Sequence, residues 1–472
     1  MGIGRKKVNL LLRFDISKAF DTISSFRLLL KLKHLDFFCQ SLQWIFSYLC
    51  GRSQCLFSES STSGSREINL GVPQGSILDP LLFCLCINDL QQHLGGDGIL
   101  RFVYVDDIQV YVQVLLENLL EGIAHSSRIA ERVALWAEQN HLRLSSSKTT
   151  AIASGSSHAM GIFERLNYQG ITLPNGEVIR FENTVKSLSV MLDNTLSRKL
   201  QVDQITMKVN RALFGLRFIK PCTSQTFRKR FVESLIVPHL DYCSVVYLNA
   251  SISLRARLQR LSIAGVRYIF SVSRDTRIMP YWSQLEWLRT DFRRFYSALL
   301  IMYKVVRLRK PKILTSLFMP YTSDRRGKRT DLNVSLTSSE MGTNSFQVKS
   351  AKLWNSVPNH IRDLPTFSQY KRALQKYLLD LEGRLLRCHD KVSPDKISPK
   401  NFPKIISPRP NFPLKKFPLT KFPREIISKI NFTRQNFLRQ NFLTTKFPLS
   451  KFCFLSWIWY LCIMISCSLI LY

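Results

Sequence analysis

Phe102-Val103-Tyr104-Val105-Asp106-Asp107-Ile108 sets two adjacent carboxylates inside an apolar, β-branched run from Leu100 to Val114. Apolar residues on both sides of an acidic pair predict a β-hairpin with an acidic turn. Adjacent carboxylates in a hydrophobic hairpin repel one another and are costly unless a cation compensates. Nearer the start, Arg13-Phe14-Asp15-Ile16-Ser17-Lys18-Ala19-Phe20-Asp21 continues an apolar run, Val8 to Phe14, that reads as a buried strand ending at Asp15. Ser17 is expected to cap a helix that follows. Between the two clusters, Gly71-Val72-Pro73-Gln74-Gly75-Ser76-Ile77-Leu78 spaces glycine and proline so as to make a rigid loop. Backbone there can approach a ligand closely, and Gln74 can bond a base or sugar. Taken singly, each element has a bland alternative: an ordinary strand end, a plain Asp-Asp turn, a surface loop.

Together they point to one chemistry. Phosphoryl transfer between a hydroxyl and a nucleotide uses two divalent ions about 4 Å apart, held by carboxylates that converge from strand ends or tight turns. Mg²⁺ takes oxygen ligands, one or two carboxylates plus substrate phosphates.

Outward from these clusters, residues 1 to about 155 alternate short apolar strands with helical stretches, an α/β or α+β pattern. Ile123 to Asn140 has helical spacing through Ile123, Ile129, Val133 and Trp136. From about 195 to 385 the pattern is mainly helical, with apolar stripes through Ile205, Val209, Leu213 and Leu216 and through Leu254, Leu258, Leu261 and Val266. Arg255, Arg257, Arg260 and Arg267 lie among the second stripe, either as a solvated face or as phosphate contacts.

The chain of 472 residues has 67 Lys and Arg against 33 Asp and Glu, a net charge of +34, which attracts polyanions and above all nucleic acid. Residues 391–451 hold 14 basic and two acidic side chains, so +22 of the surplus belongs to the first 390 residues. Phe recurs every five residues from 412 to 422 and again from 432 to 452, and Pro every five from 403 to 423. That period fits neither helix nor strand, so 387–451 reads as a basic low-complexity repeat in extended or disordered form. Residues 452–472 are apolar and uncharged over 21 positions, enough to span a bilayer, either as a membrane anchor or as an extension without function. The 11 cysteines show no disulfide framework and no zinc spacing, which implies a reducing, intracellular setting, nucleus or cytoplasm. Met1 to Leu12 is too short in its apolar run for a signal peptide.

The order FDISKAFD, GVPQGSILDPLLF, YVDD resembles motifs A, B and C of the reverse transcriptase palm. Lys148-Thr149 is similar to motif D, and Val185 to Asp193 to motif E, the primer grip. Tyr48-Leu49-Cys50-Gly51-Arg52-Ser53-Gln54, Ile87-Asn88-Asp89-Leu90, Pro238-His239-Leu240-Asp241-Tyr242-Cys243 and Leu353-Trp354-Asn355-Ser356-Val357-Pro358 are similar to non-LTR retrotransposons of the jockey-like kind. The resemblance runs from about residue 8 to 382. It implies an α+β fold: a right-hand palm of antiparallel sheet and packed helices over 1–193, a helical thumb over 194–300 and a helical C-terminal region over 301–386.

It further implies an RNA-directed DNA polymerase acting on an RNA template and a DNA primer, with deoxynucleoside triphosphates as substrates, two Mg²⁺ ions and no small-molecule cofactor. By matching position, Asp15, Asp106 and Asp107 would ligate the ions. Phe20 would stack under the nucleotide sugar and select against ribose. Gln74 and Gly75 would line the nucleotide and template pocket. Lys148 would donate a proton to the leaving pyrophosphate. Asp21 is expected to be structural.

Two departures accompany this resemblance. The chain begins 14 residues before Asp15, without the family's fingers region, so alone it is expected to polymerise poorly or not at all. Asp79 and Ser189 stand where the family tends to have Gly, and a carboxylate at 79 is expected to repel template or triphosphate. The alternative is a catalytically inactive chain that holds nucleic acid.

Overall fold

Strand β1 (Lys7–Ser17) is apolar at most of its positions, and the computed structural model shows why. The structure describes residues 7–94, 99–145, 147–168, 170–173, 176–320, 331–334 and 345–388. After β1 come α1 (Ser25–His34), α2 (Cys39–Leu49) and four short strands, β2 (Arg52–Gln54), β3 (Phe57–Ser58), β4 (Ser61–Thr62) and β5 (Arg66–Ile68). Next follow α3 (Asp79–Cys86), α4 (Leu90–His93), β6 (Ile99–Tyr104), β7 (Asp107–Leu115), α5 (Leu119–Gln139), β8 (Arg143–Leu144) and β9 (Thr150–Gly155). The first half closes with α6 (Ser157–Arg165), β10 (Gly170–Thr172), β11 (Val178–Arg180), β12 (Thr184–Ser187) and β13 (Val190–Asp193).

The main sheet is antiparallel, ordered β6-β7-β1-β8 with β9 also on β1. Its central strand is covered on both faces, and a strand so placed is apolar on both of its alternating sets of side chains. Val8, Leu10, Leu12, Phe14 and Ile16 join a core with Leu28, Phe83, Ile129 and Trp136. On the opposite face Leu11, Phe102, Tyr111 and Ile152 join Val185, Val190, Leu192 and Val209 in a second core. The expected hairpin is therefore present as β6 and β7, and the expected helix as α5.

The helix anticipated from Ser17 begins later. β1 runs on through Ile16 and Ser17 to pair with β8, and Lys18 turns the chain with φ +49. Ser24 is the cap, its hydroxyl accepting from the Arg27 amide.

Beyond β13 the chain is helical: α7 (Lys199–Ile219), α8 (Gln225–Leu235), α9 (Val237–Asp241), α10 (Ile252–Phe270), α11 (Met279–Leu285), α12 (Thr290–Arg307), α13 (Lys312–Thr315), α14 (Phe346–Ser356), α15 (Asn359–Arg362) and α16 (Phe367–Cys388). Val202, Ile205, Val209 and Leu216 of α7 and Leu258, Leu261 and Val266 of α10 share the core that reaches the sheet. Arg255 and Arg257 turn inward to ion pairs, Arg255 with Asp291 at 3.5 Å and Arg257 with Asp203, and so are engaged within the helical half. The five-residue repeat beyond Cys388 and the apolar segment 452–472 lie outside the described residues. Among the described residues, no helix is long and apolar enough to cross a membrane.

Candidate active site

The site is built where β1 ends, on the sheet face shared with the β12–β13 hairpin. Antiparallel register sets Asp15 directly opposite Asp107. Because strand side chains alternate, Arg13 and Asp15 on β1 share that face with Asp107 and Gln109 on β7. Asp106 fills the two-residue turn between Tyr104 and Asp107 together with Val105. Val105 has φ +52, a left-handed conformation that is strained for a β-branched residue.

The two opposed carboxylates have different surroundings. Asp107 takes a hydrogen bond from Arg13 Nε at 2.9 Å on one oxygen and from Gln109 Nε2 at 3.3 Å on the other. Gln109 also donates to Ser187 Oγ at 3.0 Å, and Arg13 Nη1 donates to the Lys186 carbonyl at 2.5 Å. Burial pushes the Asp107 carboxyl up from its ordinary range, and Asp106 adds to the rise, while Arg13 and the Gln109 amide pull it down. Asp15 Oδ2 is buried and has no hydrogen-bond partner. Lys148 Nζ lies 3.3 Å from it, an ion pair without hydrogen-bond geometry, and the Lys148 side chain is 67% exposed. Such an exposed partner holds weakly. Asp106 makes no hydrogen bond or ion pair among the described residues.

The loop at 71–76 is stitched to the strand-end segment rather than lying free. Gly71 N donates to Ile23 O at 2.7 Å and Val72 N to Phe20 O at 2.8 Å. Gln74 Nε2 donates to Asp21 Oδ1 at 2.6 Å, which gives Asp21 the structural part expected of it. Gly75 has φ +92, a conformation suited to glycine. Phe20 is half-buried, its ring 5.2 Å from that of Phe83.

Asp79 corrects the expectation of a carboxylate repelling template. It is buried, and accepts from Ser76 N at 3.1 Å and Ser76 Oγ at 2.5 Å, so its carboxylate is engaged by its own loop. Tyr48 Oη braces the same serine at 2.6 Å. Leu188 and Ser189 form the two-residue turn of β12–β13, with φ +43 and +66, as tight hairpins require.

The structure thus brings Asp15, Asp107 and Lys148 together, with Asp106 in the adjoining turn; Phe20, Gln74 and Gly75 belong to the adjacent loop contact. Among the described residues, no three His, Cys, Asp or Glu side chains converge as a metal-holding group. Sequence reading missed Arg13, Gln109 and Ser187. Arg13 carried a signal: a charge inside an apolar strand, two positions from Asp15, must share its face.

Residues 4–188 match the family model for reverse transcriptase (RNA-dependent DNA polymerase). The chain is 23% identical over 267 residues to the RNA-directed DNA polymerase from mobile element jockey of Drosophila melanogaster, covering 55% of this chain and 28% of that protein. To the probable RNA-directed DNA polymerase from transposon X-element of the same species it is 29% identical over 262 residues, covering 54% of this chain and 27% of that protein. The jockey polymerase of Drosophila funebris is 22% identical over 267 residues. The matches span little more than a quarter of these relatives, 27 to 28% of their length. Residues 4–188 are therefore a reverse transcriptase domain, and the chain is a relative of the RNA-directed DNA polymerases of the non-LTR elements jockey and X-element.

Proposed function

We propose that this chain supplies the polymerase core of a non-LTR retrotransposon enzyme, adding deoxynucleotides to a primer 3′ hydroxyl along an RNA template. The observation that carries the reading is Asp15 set opposite Asp107, with a buried Asp15 oxygen that accepts no hydrogen bond and meets only the exposed Lys148, and Asp106 alongside. Hard carboxylate oxygens suit Mg²⁺, and Asp15, Asp106 and Asp107 are the residues that would hold two such ions. When bound, the ions would lower the pKa of the attacking hydroxyl and stabilise charge on the leaving group.

The chain's own residues do the rest. Lys148, mobile on its exposed stem, delivers a proton to the departing pyrophosphate. Phe20 supports the nucleotide sugar against Phe83, and Gln74 and Gly75 border the nucleotide and template. Residues 1–193 act as palm, 194–300 as thumb and 301–386 as a further helical region. The surplus of +34 draws in template, primer and deoxynucleoside triphosphates. A second reading, nucleic-acid binding without polymerisation, is favoured by one contact: Arg13 already occupies an oxygen of Asp107.

Primer extension on a homopolymer RNA template with Mg²⁺ tests this, comparing the parent with Asp106→Asn. Extension by the parent should fall by about 10²-fold or more in the variant, the scale on which electrostatic groups act in catalysis. Equal extension by both would refute the metal assignment. No extension by either, with RNA binding intact, selects the second reading.

A further inference from the structure

Arg13 stands at the centre of the site and no part of the proposed reaction uses it. Its register partner is Gln109, so its guanidinium reaches diagonally along the sheet to Asp107. One guanidinium joins two elements: Nε donates to Asp107 Oδ1 at 2.9 Å, and Nη1 to the Lys186 carbonyl on β12 at 2.5 Å. Gln109 makes a parallel link, from Asp107 Oδ2 to Ser187 Oγ. Asp107 is therefore tied to the β12–β13 hairpin through both its oxygens. The Arg13 and Asp107 side chains are only 22% and 12% exposed, against 67% for Lys148 beside Asp15.

We propose that Arg13 is a resident counter-cation of the carboxylate pair, which a divalent ion must displace from Asp107, and that this displacement loosens the β12–β13 hairpin. The inference rests on the reading of Asp15, Asp106 and Asp107 as a metal site. A guanidinium and a divalent ion compete for the Asp107 oxygens, because carboxylate lone pairs are shared at the cost of placing two cations side by side. The two cations of the site then differ in kind: Lys148 leaves easily on its exposed stem, while Arg13 leaves only by releasing the Lys186 carbonyl. Coupling of this sort is reciprocal, so a firmly docked hairpin weakens metal binding and bound metal weakens docking. Arg13 is thus a positioning residue that sets how much metal the site needs.

Mn²⁺ binding to the full chain, read by electron paramagnetic resonance, tests the first half. Arg13→Leu should bind Mn²⁺ about ten-fold more tightly than the parent, the factor for removing one positive charge at about 6 Å from a divalent ion in a water-like dielectric. Arg13→Lys, which keeps the charge, should stay near the parent. A merely structural role predicts the opposite sign, since damage to the site weakens binding. The second half is read on the unaltered chain by hydrogen exchange: saturating Mg²⁺ should speed exchange of the amides at 187–191. Equal or weaker Mn²⁺ binding by Arg13→Leu, tightening as large in Arg13→Lys, or exchange unchanged by Mg²⁺ each overturns the inference. If Arg13→Leu does not fold, the exchange measurement decides alone. Failure of the underlying metal assignment looks different: Mn²⁺ binding by the parent would then survive Asp15→Asn.

Discussion

Gly71→Ala and Gly75→Ala should have unequal costs, although both glycines have positive φ, +78 and +92. A side chain in the left-handed region costs about 1–2 kcal/mol, and both variants incur this. At Gly75 a Cβ meets nothing within 4 Å, so that backbone term is the whole expected cost. At Gly71 a Cβ would lie 2.7 Å from Phe20 O and 2.8 Å from Asp21 Cα, which are main-chain atoms that cannot swing aside. The segments must part, straining the bonds from Gly71 N to Ile23 O and from Val72 N to Phe20 O. Two hydrogen bonds at about 1 kcal/mol each add about 2 kcal/mol, for a total of about 3–4 kcal/mol. Native-state hydrogen exchange reads local opening directly. The amide of residue 72 should exchange about 30-fold faster in Gly71→Ala than in Gly75→Ala, since about 1.4 kcal/mol corresponds to a factor of ten. Primer extension should fall further in Gly71→Ala, because the same contact seats Gln74 on Asp21. Equal exchange in the two variants would show that the loop is not held by this approach, and that the joining of the two motifs described above is wrong.

Ser189→Gly should stabilise the chain by about 1 kcal/mol, because it relieves a side chain at φ +66 in the β12–β13 turn; urea unfolding checks this, and a loss of stability would contradict it. Asp79→Asn should weaken the 76–79 bracing by about 1–3 kcal/mol, the cost of leaving buried partners unsatisfied, without tightening RNA binding; a several-fold gain in RNA affinity would restore the view that this carboxylate repels template. Burial, helped by Lys371 nearby, pushes the Lys304 amine down to about 8 from 10.5. In that window the unfolded chain binds the extra proton, so stability contributed by this group rises as pH goes from about 8 to 10.5, and is flat below. Lys304→Met should lose that rise in unfolding experiments across the window, and an unchanged slope would refute the assignment.

Much of the first half of the fold was legible because its signals are local. A hairpin announces itself when β-branched residues flank a short polar break, and β6 and β7 meet at the expected place. β1 was legible because both its faces are covered, which makes it apolar at most of its positions. What was not legible depends on register. That Arg13 would meet Asp107 follows from Asp15 pairing with Asp107, and a slip of one residue would have sent the arginine to the other face. Ser17 misled for a related reason: it looked like a helix cap, but pairing with Arg143 on β8 kept it in the strand. Asp79 was misjudged because only the folded loop shows that Ser76 supplies both its donors.

The acidic residues of this chain divide by who satisfies them. Asp193 accepts from the amides and hydroxyls of both Thr195 and Ser197. Asp89 holds Lys31 at 2.9 Å and the Trp136 indole at 3.3 Å, and Glu382 holds Arg289 at 2.6 Å. Each is an acid whose oxygens receive donors from the fold, as buried polar groups require. Asp15 breaks the pattern, with a buried oxygen that accepts no hydrogen bond and has only the exposed Lys148 ammonium at 3.3 Å, and Asp106 makes no hydrogen bond or ion pair among the described residues. A fold that leaves these two acids so weakly satisfied while serving their neighbours fully keeps their oxygens for a cationic ligand, the kind of partner carboxylates at functional sites take. Asp107 stands between the classes, satisfied by Arg13 and Gln109 yet facing Asp15. Its double standing makes the contest between guanidinium and divalent ion the physical question on which the chemistry of this site turns.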